Sequence, residues 1–213
     1  MLETTNEVEK KCSVCGRTYK RQYCEFCKRD SLWDKQAALQ VFTPRIRKIL
    51  TENEVKVDPK EIQHLHSGGS LLITGVLGAG KTVYGASVLL KSMYFSYIEQ
   101  LVLGECHFVK EPELLQNIRD SFNKEQSFSM GFLYKDVVML DDLGAEKITD
   151  WVLDVLYRII DHRYEYRLPT IFTTNLDGEQ LADRLGDRIP DRLEEMCKVV
   201  KIKGKSKRKK QPS

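Results

Sequence analysis

No apolar run in this 213-residue chain comes near the roughly 20 residues that a bilayer-spanning helix requires, which leaves no sequence basis for a membrane protein. The N-terminal residues also lack the basic and then apolar order of a secretory leader, being polar and acidic with Glu3, Glu7 and Glu9. A cytoplasmic setting and no membrane partner are the expectations. No internal repeat of useful length occurs. Acid is missing from one region, because residues 198–213 hold eight Lys/Arg and no Asp or Glu. The overall net charge of +3 therefore hides −5 on residues 1–197. Hydrophobic residues, at 41%, suffice to bury a core, in a length that suits one ordinary domain with a small appendage.

The chain is organised around Gly75-Val-Leu-Gly-Ala-Gly-Lys-Thr82, which meets the pattern G-x-x-x-x-G-K-[ST] at every required position. A short apolar, β-leaning run, Ser70 to Thr74, precedes it, and Val83 to Met93 can continue it as a helix. Strand, glycine loop and helix thus occur in the order a P-loop needs. Backbone N–H groups must close around phosphate oxygens, and a Cβ at Gly75, Gly78 or Gly80 would obstruct the turn or the approach. The stretch Gly75, Gly78, Ala79, Gly80, Lys81, Thr82 and Val83 is the expected nucleotide cradle, with Lys81 on the β- and γ-phosphates and Thr82 on Mg²⁺. Some 60 residues on, Asp136-Val-Val-Met-Leu-Asp-Asp142 reads as a buried strand ending in two carboxylates. Such a strand places acid at the carboxyl edge of a parallel sheet, where Asp141 holds the Mg²⁺ shell and Asp142 orients or deprotonates a water. Pro169 to Asn175 is a further strand, and Asn175 is expected between the P-loop strand and the acidic one. Alone, an Asn after a strand is an ordinary turn former.

Near the N-terminus Cys12-Ser-Val-Cys15 and Cys24-Glu-Phe-Cys27 form two C-x-x-C hooks, the spacing with which four thiolates close on Zn²⁺. A disulfide pair is the competing reading. Seven Lys/Arg between Lys10 and Arg29 surround the hooks, either offsetting the thiolate charge or forming a docking face with Tyr19, Tyr23 and Phe26. Cys106 and Cys197 lack partners at ligand spacing and read as core thiols. Residues 31–66 read as a helical connector, with Ser31 and Asp34 resembling a capping arrangement and Thr43-Pro44 and Asp58-Pro59 as helix starts. His64 and His66 read as packing or surface histidines. Glu105 to Lys110 is expected as a strand, Pro112 to Phe122 and Thr149 to Tyr166 as helices, and 123–135 as loop or irregular helix. Arg188 and Arg192 are four apart on one helix face, either surface arginines beside Asp187 and Asp191 or arginines supplied to a neighbouring subunit's ATP. The run from Lys198 to Ser213 reads mostly as solvated charge, able to add salt-dependent affinity near DNA.

The P-loop GVLGAGKT, the acidic strand VVMLDDLGAE, the segment DWVLDVLYRIIDHRYEYRLPTIFTTNL, the stretch LGDRIPDRL and the ending EEMCKVVKIKGKSKR together resemble the DnaC and DnaI helicase loaders, AAA+ ATPases related to the IstB transposition helpers. The resemblance covers about residues 65–210 and implies an α/β fold, a P-loop AAA+ core with a parallel five-stranded sheet, after a small four-cysteine zinc-binding module. It divides the chain into 1–30 (zinc module), 31–66 (connector), 67–203 (ATPase domain) and 204–213 (basic tail). By position it implies that Lys81 and Thr82 are the Walker A lysine and hydroxyl, Asp141 and Asp142 the Walker B acids, and Asn175 sensor 1. It likewise makes Arg192, with Arg188 as alternative, the arginine finger, and Arg208 sensor 2. The loader pattern has Asn at the place of Asp161 and Ser at that of Asp191, and an Asp at 142 in place of the usual Glu implies slow hydrolysis or a switch-like role. The implied function is an ATP- and Mg²⁺-dependent loader that self-assembles, binds single-stranded DNA and delivers a DnaB-type replicative helicase, its zinc module docking the helicase as in short phage or prophage loaders. A nucleotide-switched adaptor, an IstB-like transposition helper and a small-molecule kinase are the competing readings.

Overall fold

The computed structural model describes residues 10–13, 15, 17–19, 25–99, 105–123 and 135–203. Two short antiparallel strands, β1 (Lys10–Lys11) and β2 (Thr18–Tyr19), bracket Cys12 and Cys15, and α1 (Glu25–Leu32) follows. Three helices, α2 (Lys35–Leu39), α3 (Pro44–Glu52) and α4 (Pro59–His66), then lead into the first strand of the main sheet. That sheet takes β3 (Ser70–Thr74), β4 (Cys106–Lys110), β5 (Val137–Asp141), β6 (Thr170–Thr174) and β7 (Cys197–Lys201). Between them run α5 (Lys81–Glu99), α6 (Glu111–Asn123), α7 (Asp150–Glu165), α8 (Gly178–Leu185) and α9 (Arg188–Met196). The spatial order is β4-β5-β6-β3-β7 and every pairing is parallel, so the five-stranded parallel α/β sheet expected from the sequence is present.

Alternation along the strands divides the core into two layers. Leu72, Leu140 and Phe172 face α6, α7, α8 and α9, while Leu71, Ile73, Met139 and Ile171 face α2, α3, α4 and α5. A sheet buried on both faces explains why these strands read as continuous apolar runs. Arg163, fully buried on α7, ties the lower edge together: it donates to Thr170 Oγ1 at 2.6 Å, the Pro169 carbonyl at 2.9 Å and the Lys135 carbonyl at 3.2 Å. These bonds join the entries of β5 and β6, and burial lowers the guanidinium pKa to about 10.

Several expectations are corrected in detail. Ser31 lies in the last turn of α1, and Asp34 is the cap of α2, accepting the Ala37 N–H at 2.9 Å. Thr43 precedes α3 without a side-chain cap bond, whereas Asp58 accepts the Lys60 N–H at 3.0 Å and Thr149 accepts the Val152 N–H. α5 extends to Glu99, six residues beyond Met93. The residues from Lys198 to Lys201, read as the start of a solvated run, belong with Cys197 to a strand, because pairing with β3 satisfies their backbone groups even though most of their side chains face outward. His64 Nε2 lies 3.1 Å from the Ser70 carbonyl oxygen, and His66 Nε2 lies 3.0 Å from Ser92 Oγ, so both are packing histidines. Most of the segment 123–135 lies outside the described residues.

Candidate nucleotide site

The carboxyl ends of β3, β5 and β6 converge on one cavity of about 980 Å³. Gly75, Gly78 and Gly80 all have positive φ, which turns the chain between β3 and α5 so that the loop wraps over the helix start. At Gly75 there is a second constraint: a Cβ would lie 2.6 Å from the Ile202 carbonyl oxygen, which follows β7. Lys81, the first residue of α5, is 4% exposed, and its ammonium donates to the carbonyls of Gly75 at 2.8 Å and Val76 at 3.0 Å. It also donates to Asn175 Oδ1 at 2.5 Å, which joins the P-loop to the end of β6.

The acids sit opposite. Asp141 closes β5 and is 1% exposed, with Thr173 Oγ1 donating to it at 2.6 Å and the Thr82 hydroxyl as a second donor. Burial raises its pKa, and the adjoining Asp142 adds to the rise; the two hydroxyls and the charge of Lys110 oppose it. Asp142 stands at φ +60°, half-buried on the cavity wall, and its N–H donates to Thr173 Oγ1 at 2.9 Å. One hydroxyl, Thr173 Oγ1, therefore serves both acids. Val83, Ala79, Gly80 and Thr82 line the same cavity, as does Lys110, whose ammonium pairs with Glu113 at 2.8 Å.

These groups fit a nucleotide and its metal. The glycine loop offers backbone N–H groups at a helix start, Lys81 is a cation, and Thr82 and Asp141 are oxygen donors already in contact, the hard donor type that Mg²⁺ takes. The wall across from the P-loop was missed in the sequence. Arg45, Ile46, Ile49, Asn53 and Val55, from α3 and the chain after it, form an apolar side with polar edges suited to a base. The only signal for it was the amphipathic pattern of α3, which says which face is buried but not against what.

A family described as IstB-like ATP binding protein matches residues 53–213. The chain belongs to this family. Among curated proteins, the replicative helicase loader DnaI of Bacillus subtilis (strain 168) is 32% identical over 123 residues, which is 57% of this chain and 38% of that protein. The chain thus spans about two-fifths of the curated relative it matches. Among solved structures, that of DnaI shares 26% identity at a TM-score of 0.57, covering 80% of this chain and 99% of that one. That of the DnaC helicase loader shares 23% identity at a TM-score of 0.62, covering 76% and 100% respectively, a likeness of fold.

Other expected site residues of this IstB-like protein stand apart from the cavity. Arg188 and Arg192, on α9, do not line it. Arg192 Nε donates to Asp161 Oδ1 at 3.1 Å, and its guanidinium lies 4.6 Å from the Tyr164 ring centroid, while Arg188 lies 5.8 Å from that of Tyr157. Arg208 lies outside the described residues. Of the four cysteines, Cys12, Cys15 and Cys27 have sulfurs within 4.8 Å of one another, and Cys24 lies outside the described residues. The Cys12 and Cys27 sulfurs are 3.6 Å apart, near the roughly 3.8 Å that a tetrahedral thiolate site with 2.3 Å Zn–S bonds requires. Cys106 and Cys197 are partly buried against the two core layers, and burial raises both thiol pKa values, that of Cys106 to about 12.

Proposed function

We propose that this chain is an ATP-dependent helicase loader of DNA replication, which binds ATP·Mg²⁺, assembles with copies of itself on single-stranded DNA and delivers a DnaB-type helicase. The observation that carries the reading is the 32% identity to the DnaI loader, in a chain whose P-loop, acids and Asn175 line one cavity. Thr82 and Asp141 are the residues to hold Mg²⁺, which when bound neutralises phosphate charge. Lys81 binds the phosphate chain, and its contact with Asn175 lets the sensor residue respond to what occupies the loop. Asp142 is the carboxylate to orient an attacking water. Arg192 or Arg188 serves a neighbouring copy's ATP, since neither reaches the cavity of its own chain. Cys12, Cys15, Cys24 and Cys27 hold Zn²⁺ in a module that docks the helicase, and the basic tail, with Arg208, adds nucleotide or DNA contacts.

The test mixes the protein with a DnaB-type helicase, with and without ATP·Mg²⁺, and weighs the complexes by size-exclusion chromatography with light scattering. A complex that persists in Lys81→Ala, while phosphate release is lost, supports the loader. Absence of a complex, together with ATP-driven self-assembly on DNA, favours the transposition-helper reading, for which the family match speaks.

A further inference from the structure

Glu111 opens α6 and is fully buried, a state that costs a carboxyl group dearly unless its oxygens are satisfied. Its Oε2 accepts the backbone N–H of Gly144, and the N–H groups of Ala145 and Glu146 also favour its charged form, while Oε1 has no hydrogen-bond partner among the described residues. From the other side Arg184, on α8, donates through Nε to the Gly144 carbonyl at 2.6 Å and through a terminal nitrogen to the Glu146 carbonyl at 3.0 Å. Gly144 stands at φ +79°, and a Cβ there would lie 2.8 Å from Leu176 Cδ1, so the turn is confined on a third side as well.

The turn so held begins directly after Asp142. That residue occupies the left-handed region at φ +60°, a conformation that persists when the surroundings over-determine it. Its own bonds account for part of the constraint: its N–H goes to Thr173 Oγ1, and its carbonyl accepts the Ala145 N–H at 3.0 Å. Leu143 is held by β6, its N–H donating to the Thr173 carbonyl at 2.7 Å and its carbonyl accepting from Thr174 Oγ1 at 2.8 Å. The fixed points farther along the turn, at Gly144 and Glu146, are supplied by Glu111 and Arg184. A helix start alone does not need a buried acid, and a surface α8 arginine does not need two backbone carbonyls.

We propose that Glu111 and Arg184 are a pair of positioning residues: one holds the donors and the other the acceptors of the turn after β5, and together they fix Asp142 on the wall of the nucleotide cavity. Arg184 sits on α8, so the same pair joins the acidic turn to the helix just before α9, which bears Arg188 and Arg192. The kinetic consequence rests on the hydrolysis reading above; the pinning of the turn does not.

The experiment uses the full chain with Glu111→Gln, Glu111→Ala and Arg184→Met, and reads two quantities. Hydrogen exchange over residues 143–147 reports the turn, and steady-state ATP turnover beside the Kd of a fluorescent ATP analogue reports the site. Exchange is expected to quicken roughly tenfold in Glu111→Ala and Arg184→Met, and to stay near wild type in Glu111→Gln, whose amide oxygen still accepts the Gly144 N–H. In the same two variants kcat is expected to fall about tenfold or more with nucleotide Kd within about twofold, as for a displaced catalytic group. Unchanged exchange in a folded Arg184→Met overturns the proposal, as does a loosened turn with wild-type kcat. A joint loss of Kd and kcat also overturns it, since that is what a merely structural defect gives. Should Glu111→Ala not fold, Arg184→Met and Glu111→Gln decide. Wild-type protein that turns over no ATP under any condition sinks the hydrolysis reading instead, and exchange alone then decides the pin.

Discussion

At the scale of single residues, the site divides into groups that a motif announces and groups that only the fold recruits. Lys81, Thr82 and Asp141, which line the cavity, stand in motifs where phosphate and metal chemistry restricts the residue types, whereas Asn175, an ordinary turn former by itself, was marked only by its place at the end of a strand. Thr173 and Glu111 were not legible, since a Thr late in a strand and a Glu in the run Glu111-Pro112-Glu113 are ordinary surface-compatible choices until the sheet closes over them. Thr173→Val keeps the shape but leaves the Asp142 N–H and one Asp141 oxygen without their partner. It is expected to destabilise the protein by about 1–3 kcal/mol and to lower kcat about tenfold, read from urea unfolding and ATP turnover. Wild-type values in both would show that the shared hydroxyl matters to neither acid. Glu111 gives a pH prediction. Burial raises its pKa from 4.5 to about 7, so the folded chain holds this proton more tightly than the unfolded chain does. The unfolded state then binds fewer protons between those values, and stability falls as pH rises from 4.5 to about 7, by about 3 kcal/mol at most, before levelling. Comparing urea unfolding of wild type and Glu111→Gln across that window isolates the effect: the variant lacks this slope, and identical slopes would mean the carboxyl titrates normally.

At the scale of elements, the sequence shows periodicity but not what each face meets. The strands β3, β5 and β6 were plain because burial on both faces makes them short, apolar and β-branched. β7 was not, because its sequence Cys-Lys-Val-Val-Lys mixes Lys with Val without a period and with little burial, and only pairing with β3 distinguishes it from a solvated basic run. Likewise α3 was visible as a helix, yet nothing in its residues said that the chain after it walls the nucleotide cavity. The pairing of α7 with α9 carries the next prediction. Asp161 holds Arg192 in an ion pair that is about a quarter to a third exposed, so its contribution to stability is small, at most about 1 kcal/mol. Asp161→Asn is therefore expected to move Tm by no more than about 4 °C while loosening Arg192, which keeps its 3.5 Å pair with Asp191, so that on the proposed reading turnover in assembled protein rises severalfold. Turnover that does not change, or that falls as far as in Arg192→Ala, would show that the ion pair does not restrain this arginine.

At the scale of the whole molecule, one helix connects the nucleotide cavity to the segment that bears the cysteine cluster. α5 begins with Lys81 in the nucleotide cavity and runs 19 residues, about 28 Å, to Glu99. Its far end receives the cysteine-bearing segment: Arg17 pairs with Glu99 at 3.2 Å, and the Tyr94 hydroxyl donates to Asp30 at 2.6 Å. There too the Trp33 ring centroid lies 5.6 Å and 5.2 Å from those of Tyr94 and Tyr97. The exposed ion pair adds little, so the aromatic cluster is the firmer part of this seat. On the proposed zinc reading, the ion should therefore be removable without dismantling the sheet, whose own core, among the described residues, meets this seat only through Trp33 and α5, the helix that carries Tyr94. The sequence contains two tryptophans, and Trp151→Phe leaves Trp33 as the sole reporter. In that background, stripping metal with a strong chelator is expected to shift Trp33 emission to the red and abolish helicase binding, while nucleotide Kd changes less than about threefold, because the residues lining the nucleotide cavity, from Thr43 to Ile202, all lie outside the cysteine-bearing segment. If chelation leaves Trp33 unmoved and helicase binding intact, the cysteines hold no structural metal and docking belongs elsewhere. If nucleotide affinity collapses together with the Trp33 shift, α5 transmits the state of one end to the other, and the two centres act as a single switch.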